Sequence, residues 1–179
     1  MNMRFDENGI VYSGCLPLSL VLMSGAPHEH ELLRANEGNE LLLRSVSALE
    51  EKIDTDENDE IAQELRRQDM KLNLVLDLLG ALLLQQQVIP ESRELQLSAA
   101  GLRTHVSPTP APAQHCRLQL YIEPAIPKPL TLFGQCHASS GPGMTDISFT
   151  GLSQTVTDNL DKFIFRHHRR RIAQARHAG

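Results

Sequence analysis

The side chains able to do chemistry in this chain occur in incomplete sets. Asp54, Asp56 and Asn58 stand at the first three ligand positions of a calcium loop, where carboxylate and amide oxygens would surround a hard cation. The loop then fails, because Asp59 replaces the glycine of its sharp turn and Leu65 replaces its closing bidentate glutamate. The pattern reads as an acidic link between helices. Of the eight histidines, His28 with His30 and His167 with His168 lack the four-residue spacing that sets two imidazoles on one helix face. His105, His115 and His137 would need a barrel rim to meet Cys116 or Cys136, and they read instead as surface or strand-end residues. There is no nucleophile elbow, no glycine-rich phosphate loop and no helical HExxH. The expectation is a protein that is not an enzyme, with no cofactor and no metal.

Composition narrows the classes further. The three cysteines, Cys15, Cys116 and Cys136, are odd in number and lack CxxC spacing, and no signal peptide precedes them. Reduced thiols in a cytoplasmic protein are expected. The net charge of −5 argues against bulk attraction to nucleic acid or an anionic membrane. Acidic residues crowd 29–60, whereas the run Arg166 to Arg176 is basic and reads as complementing a helix dipole. The apolar runs Cys15–Met23 and Leu72–Leu84 are too short to span a bilayer, so no membrane insertion is expected.

The elements that must position these residues follow from periodicity. Residues 1–24 read as a strand or two, with Ser13-Gly14 as a turn. From His30 to Ile53, apolar or small residues recur three and four apart, giving a helix weakened in the middle by Gly38 and Asn39. The acidic link 54–59 favours a helical hairpin, since Asp and Asn are poor helix formers and good caps. A second helix is predicted from about Asp59 to Gln87, stopped by Pro90.

That second helix carries the clearest signal in the chain. Ile61, Leu65, Leu72, Val75, Leu79 and Leu82 alternate four and three apart, with Gln68 and Gln86 filling the remaining steps. The mean period of about 3.5 residues is that of helices supercoiled on partner helices. Leu74, Leu76, Leu78, Leu83 and Leu84 widen the apolar surface beyond one seam. With Leu65, Leu72 and Leu79 at a positions, Ile61, Val75 and Leu82 fall at d, a pattern favouring more than two strands. The expectation is a homo-oligomer, tetramer preferred over dimer, joined through this coiled-coil or helical-bundle element, with Gln68 and Gln86 as polar layers.

From Glu91 the period becomes two. Strands are expected at Glu94–Leu97, Leu102–Val106, Arg117–Ile122, Leu130–Cys136 and Ile147–Phe149, followed by a helix from Asn159 to about Ala175, capped by Thr157 and Asp158. The fold class is therefore α+β, divided as an N-terminal strand segment (1–24), a helical oligomerisation element (25–90) and an antiparallel sheet or small β-barrel with a C-terminal helix (91–179).

The ordered segments Leu97-Ser98-Ala99-Ala100-Gly101-Leu102, Leu118-Gln119-Leu120, Leu130-Thr131-Leu132-Phe133-Gly134-Gln135, Phe149-Thr150-Gly151-Leu152-Ser153 and Leu160-Asp161-Lys162-Phe163-Ile164-Phe165-Arg166 resemble a PilZ domain. The resemblance implies a six-stranded antiparallel barrel, and a role in cyclic di-GMP signalling to bacterial motility, adhesion or virulence machinery. Members hold the nucleotide with an R-x-x-x-R motif ahead of the barrel and [D/N]-x-S-x-x-G on an early strand. A dianion needs multi-donor guanidinium groups. Here the second motif survives only as a remnant, Gln96, Ser98 and Gly101, and no arginine lies between Leu82 and Arg93. The nearest basic pair at that spacing, Arg67 and Lys71, sits inside the heptad helix. Asp146-x-Ser148-x-x-Gly151 and Arg166-x-x-x-Arg170 fit the two patterns, but in reversed order. They read as strand residues and a solvated helix face. The expected protein is a PilZ-like adaptor that does not bind cyclic di-GMP and works through protein contacts; the alternative is a true receptor using Arg93, Arg103 or terminal-helix arginines.

Overall fold

A computed structural model describes residues 10–50, 60–86, 89–138 and 143–177. In chain order the elements are β1 (Tyr12–Leu22), α1 (Glu29–Glu50), α2 (Glu60–Gln86), β2 (Ser92–Ser98), β3 (Gly101–His105), β4 (His115–Leu120), β5 (Leu130–Ala138), β6 (Met144–Phe149) and α3 (Gln154–His177). The six strands close an antiparallel barrel in the order β1-β2-β3-β6-β5-β4. The α+β class and the six-stranded barrel agree with the sequence. The expected hairpin link lies outside the described residues, as does most of the Ser139–Gly143 turn.

The N-terminal segment does more than precede the barrel. It forms one eleven-residue strand rather than two with a turn. Its first half pairs with β2, Tyr12 opposite Leu97, and its second half with β4, Leu18 opposite Leu120. Gly14 stays extended there, because pairing with Leu95 of β2 supplies the hydrogen bonds that a turn would otherwise make.

Alternation puts Leu95, Leu97, Leu102, Leu118, Leu120, Leu130, Leu132 and Ile147 in the core, all at most 1% exposed. Leu42, Leu43 and Val46 of α1 and Val156, Leu160, Phe163 and Ile164 of α3 join the same cluster. Both helices are thus integral to the barrel's packing.

Polar side chains of α1 fix its register on the barrel. Asn39, expected to soften the helix, is buried and satisfies both backbone groups of Thr131: its Nδ2 donates to the carbonyl and its Oδ1 accepts from the amide, each at 2.8 Å. A helix former at this position would leave those groups unpaired, which costs more than the lost propensity. One turn earlier, Asn36 donates to Gly151 O and accepts from Ser153 N. Ser153 Oγ accepts from Val156 N and donates to Glu40, so Ser153 is the N-cap of α3. The helix therefore begins five residues before the predicted start. Thr157, taken from sequence as the cap, lies inside it and donates to Ser153 O.

Candidate functional site

The candidate residues marked by the sequence fall in two regions: the α2 helix and the outer barrel wall around the motif remnant. α2 leaves the molecule with its apolar residues in solvent. Ile61, Leu65, Leu72, Val75, Leu79 and Leu82 are 49–69% exposed, and Met70, Leu74, Leu76 and Leu78 are exposed as well. Gln68 is exposed on the same helix; Gln86 is its last residue. Arg67, half of the upstream basic pair, bonds Glu64 of its own helix at 3.2 Å.

Among the described residues, α2 approaches the barrel near its far end. Gly80 is buried there, and a Cβ at this position would stand 3.0 Å from Ala125 O in the β4–β5 loop. The absent side chain is what lets the helix approach the loop backbone. Next to this junction, Leu16, Pro17, Ile89, Tyr121, Ile122 and Pro124 line an apolar cavity of about 320 Å³.

The motif remnant occupies the β2–β3 hairpin. Leu95 and Leu97 point inward, so Gln96 and Ser98 face the outer wall. Ser98 Oγ accepts from Gly101 N at 3.1 Å and donates to Gly101 O at 3.2 Å, which ties its hydroxyl to its own turn. Gln96 stands between Ser13 of β1 and Arg103 of β3. Arg103 grips Asp146 of β6 through Nε to Oδ1 at 2.6 Å and Nη2 to Oδ2 at 3.0 Å. Asp146 is nearly buried, and such a bidentate pair is strong and oriented. Ser148, two residues on, lies 2.7 Å from His137 Nε2. The motif-like Asp146 and Ser148 are thus strand residues bonded to neighbouring strands.

Cysteines and histidines of the barrel diverge because consecutive strand residues face opposite sides. Cys116 and Cys136 point into the core, while His115 and His137 sit outside it, half-buried. Cys116 Sγ donates to Gly134 O at 3.6 Å. The neighbouring Cys136 thiol, followed by burial, pushes the Cys116 thiol up. Among the described residues no group of three or more His, Cys, Asp or Glu is placed to hold a metal ion. None of the described helices is long and apolar enough to cross a membrane.

Sequence reading undervalued α3. Its arginines begin in mid-helix, and Arg171 Nη1 reaches Ser13 O at 3.4 Å, beside the strand pairing with Gln96. Arg166 donates to Ser47 of α1 at 2.6 Å.

No curated protein matches this sequence. The model of one family, the atypical PilZ domain, a cyclic di-GMP receptor, matches residues 41–177. Among solved structures, a pathogenic protein from Xanthomonas campestris is similar, with a TM-score of 0.73 and 26% sequence identity over 93% of this chain and 92% of that chain. That protein is a tetrameric PilZ domain self-assembled via an unusual helical bundle. With a match over most of its length, and a closed six-stranded barrel beneath it, this chain belongs to the atypical PilZ domain family.

Proposed function

We propose that this protein is a non-enzymatic adaptor of bacterial cyclic di-GMP signalling that assembles through α2, preferably as a tetramer, and meets its target through protein contacts. The observation that carries the reading is the exposure of the whole apolar seam from Ile61 to Leu82 in the single chain. Fully burying a Leu or Ile side chain contributes about 1.5–3 kcal/mol, so six half-exposed seam residues hold several kcal/mol per chain for a partner that covers them. Copies of the same helix supply a matching surface, and the leucine and β-branched placement favours more than two of them. The likeness to the tetrameric Xanthomonas campestris protein supports that number. Assembly would set several barrels side by side, so that weak contacts act together.

In this reading the barrel does not bind cyclic di-GMP. Ser98 is tied to its own turn, Gln96 stands in place of the acidic or amide residue, and Arg103 is paired with Asp146. Each missing charge-assisted contact removes about 1.5–3 kcal/mol. A second reading, a receptor with displaced arginines, is favoured by one observation: Arg171 of α3 lies against the strand that pairs with Gln96. Calorimetric titration of the purified protein with cyclic di-GMP separates the two. Absence of heat is expected; stoichiometric heat that disappears in Arg171→Ala would establish the second reading instead.

A further inference from the structure

The basic residues of α3 from Lys162 to Arg171 have no explanation in the helix dipole. From Lys162 onward the sequence holds six Lys or Arg and no Asp or Glu. The helix continues to His177, so Lys162 to Arg171 lie before its last turn, beyond the reach of terminal partial charges. Arg44, Lys162, Arg169 and Arg171 make no ion pair with any described residue.

The exposed face of α3 also has apolar points between its charges. Lys162, Phe165, Arg169 and Ile172 follow one another three, four and three residues apart, which places them in one line along the helix. Phe165 is 45% and Ile172 41% exposed, so both present apolar surface between the charges. Arg169 lies over the Phe165 ring at 5.8 Å, which holds the ring outward. Alongside the line, Arg44 and Ser47 of α1 with Lys162 and Arg166 border a groove of about 480 Å³.

We infer that this face is the docking surface for an acidic amphipathic segment of a partner protein, its carboxylates meeting Lys162, Arg169 and Arg44 and its apolar side chains seating on Phe165 and Ile172. Apolar anchors two helical turns apart suit an amphipathic peptide, whereas the phosphates of nucleic acid are evenly spaced and gain nothing from them. The acidic remainder of the chain, with net charge −5 overall, also repels a polyanion longer than the helix. The inference rests on the adaptor role proposed above and gives its partner a chemical class.

The test is a fluorescein-labelled peptide of glutamates carrying two leucines two helical turns apart, titrated into the full-length protein and followed by anisotropy. The expected result is saturable binding that weakens steeply with salt and falls about tenfold or more in Lys162→Glu/Arg169→Glu. Phe165→Ala/Ile172→Ala should weaken it while leaving the salt dependence unchanged. All four positions are exposed, and circular dichroism confirms that the variants keep the fold. No saturable signal, or equal binding by the charge-reversed variant, overturns the inference. Tighter binding of duplex DNA or phosphatidylserine vesicles than of the peptide also overturns it. Light scattering on the same samples reports assembly separately: a single-chain species that still binds the peptide would defeat the oligomer and leave this surface standing.

Discussion

Replacing Leu72 and Leu79 together by lysine should dissociate the assembly without unfolding the barrel. Both are more than half exposed in the single chain, and both would take a positions in the proposed bundle. Each substitution removes burial worth about 2 kcal/mol per chain and places an ammonium group where the facing helices are apolar, a further several kcal/mol. A symmetric tetramer carries every substitution four times, so the loss exceeds what a helical bundle of this length can absorb. The folded state of one chain should hardly notice, because Leu72 and Leu79 are exposed and, among the described residues, α2 approaches the barrel at Gly80 and Ala125. Light scattering coupled to gel filtration should give about four times 19.9 kDa for the parent and 19.9 kDa for the double variant. Strand signal in circular dichroism should be equal in both. A parent that scatters as a single chain at micromolar concentration refutes the reasoning, as does a double variant of undiminished mass.

Other perturbations test the barrel itself. Asn39→Ala should lower stability by about 2–3 kcal/mol, read as an earlier urea midpoint, because both backbone groups of Thr131 lose their partner in a buried setting. Arg103→Met should destabilise by about 3 kcal/mol, since it leaves the Asp146 carboxylate nearly buried and uncompensated, whereas Arg103→Met with Asp146→Leu should recover most of that loss in thermal unfolding. Cys15 should react with a thiol reagent at once in the native protein, while Cys116 and Cys136 should react only as the barrel unfolds, giving one fast and two slow equivalents. Gly80→Leu should detach the end of α2 from the β4–β5 loop, raising amide exchange around Ala125 while leaving the core strands protected.

Period and punctuation carried much of the architecture. The strands from β2 to β6 were legible because apolar residues alternate cleanly and turn residues bound each run. Where the sequence misled, a distant partner had overruled a local preference. Asn39 is a poor helix residue until Thr131, ninety-two positions away, supplies two hydrogen bonds. Ser13-Gly14 resembles a turn until β2, from far downstream, pairs with it. The α3 start went to Thr157 rather than Ser153 because the anchoring contacts to Ser153 come from Asn36 and Glu40 of another helix. At the motif remnant, sequence showed which residue types were lacking. That Ser98 and Asp146 are already engaged by their neighbours needed the barrel register.

The place of β1 has a consequence for how the chain reaches its native state. This strand is made before every other described element, yet both of its neighbours arrive much later: Tyr12 waits for Leu97, and Leu22 for Cys116. Until then its two edges are bare, an invitation to pair with a strand from another nascent chain. The two helices translated in the interval lengthen the loop that must close, which slows folding more than it costs in stability. Ribosome-bound chains ending before residue 120 should therefore be sensitive to proteolysis at Tyr12, and full-length chains resistant.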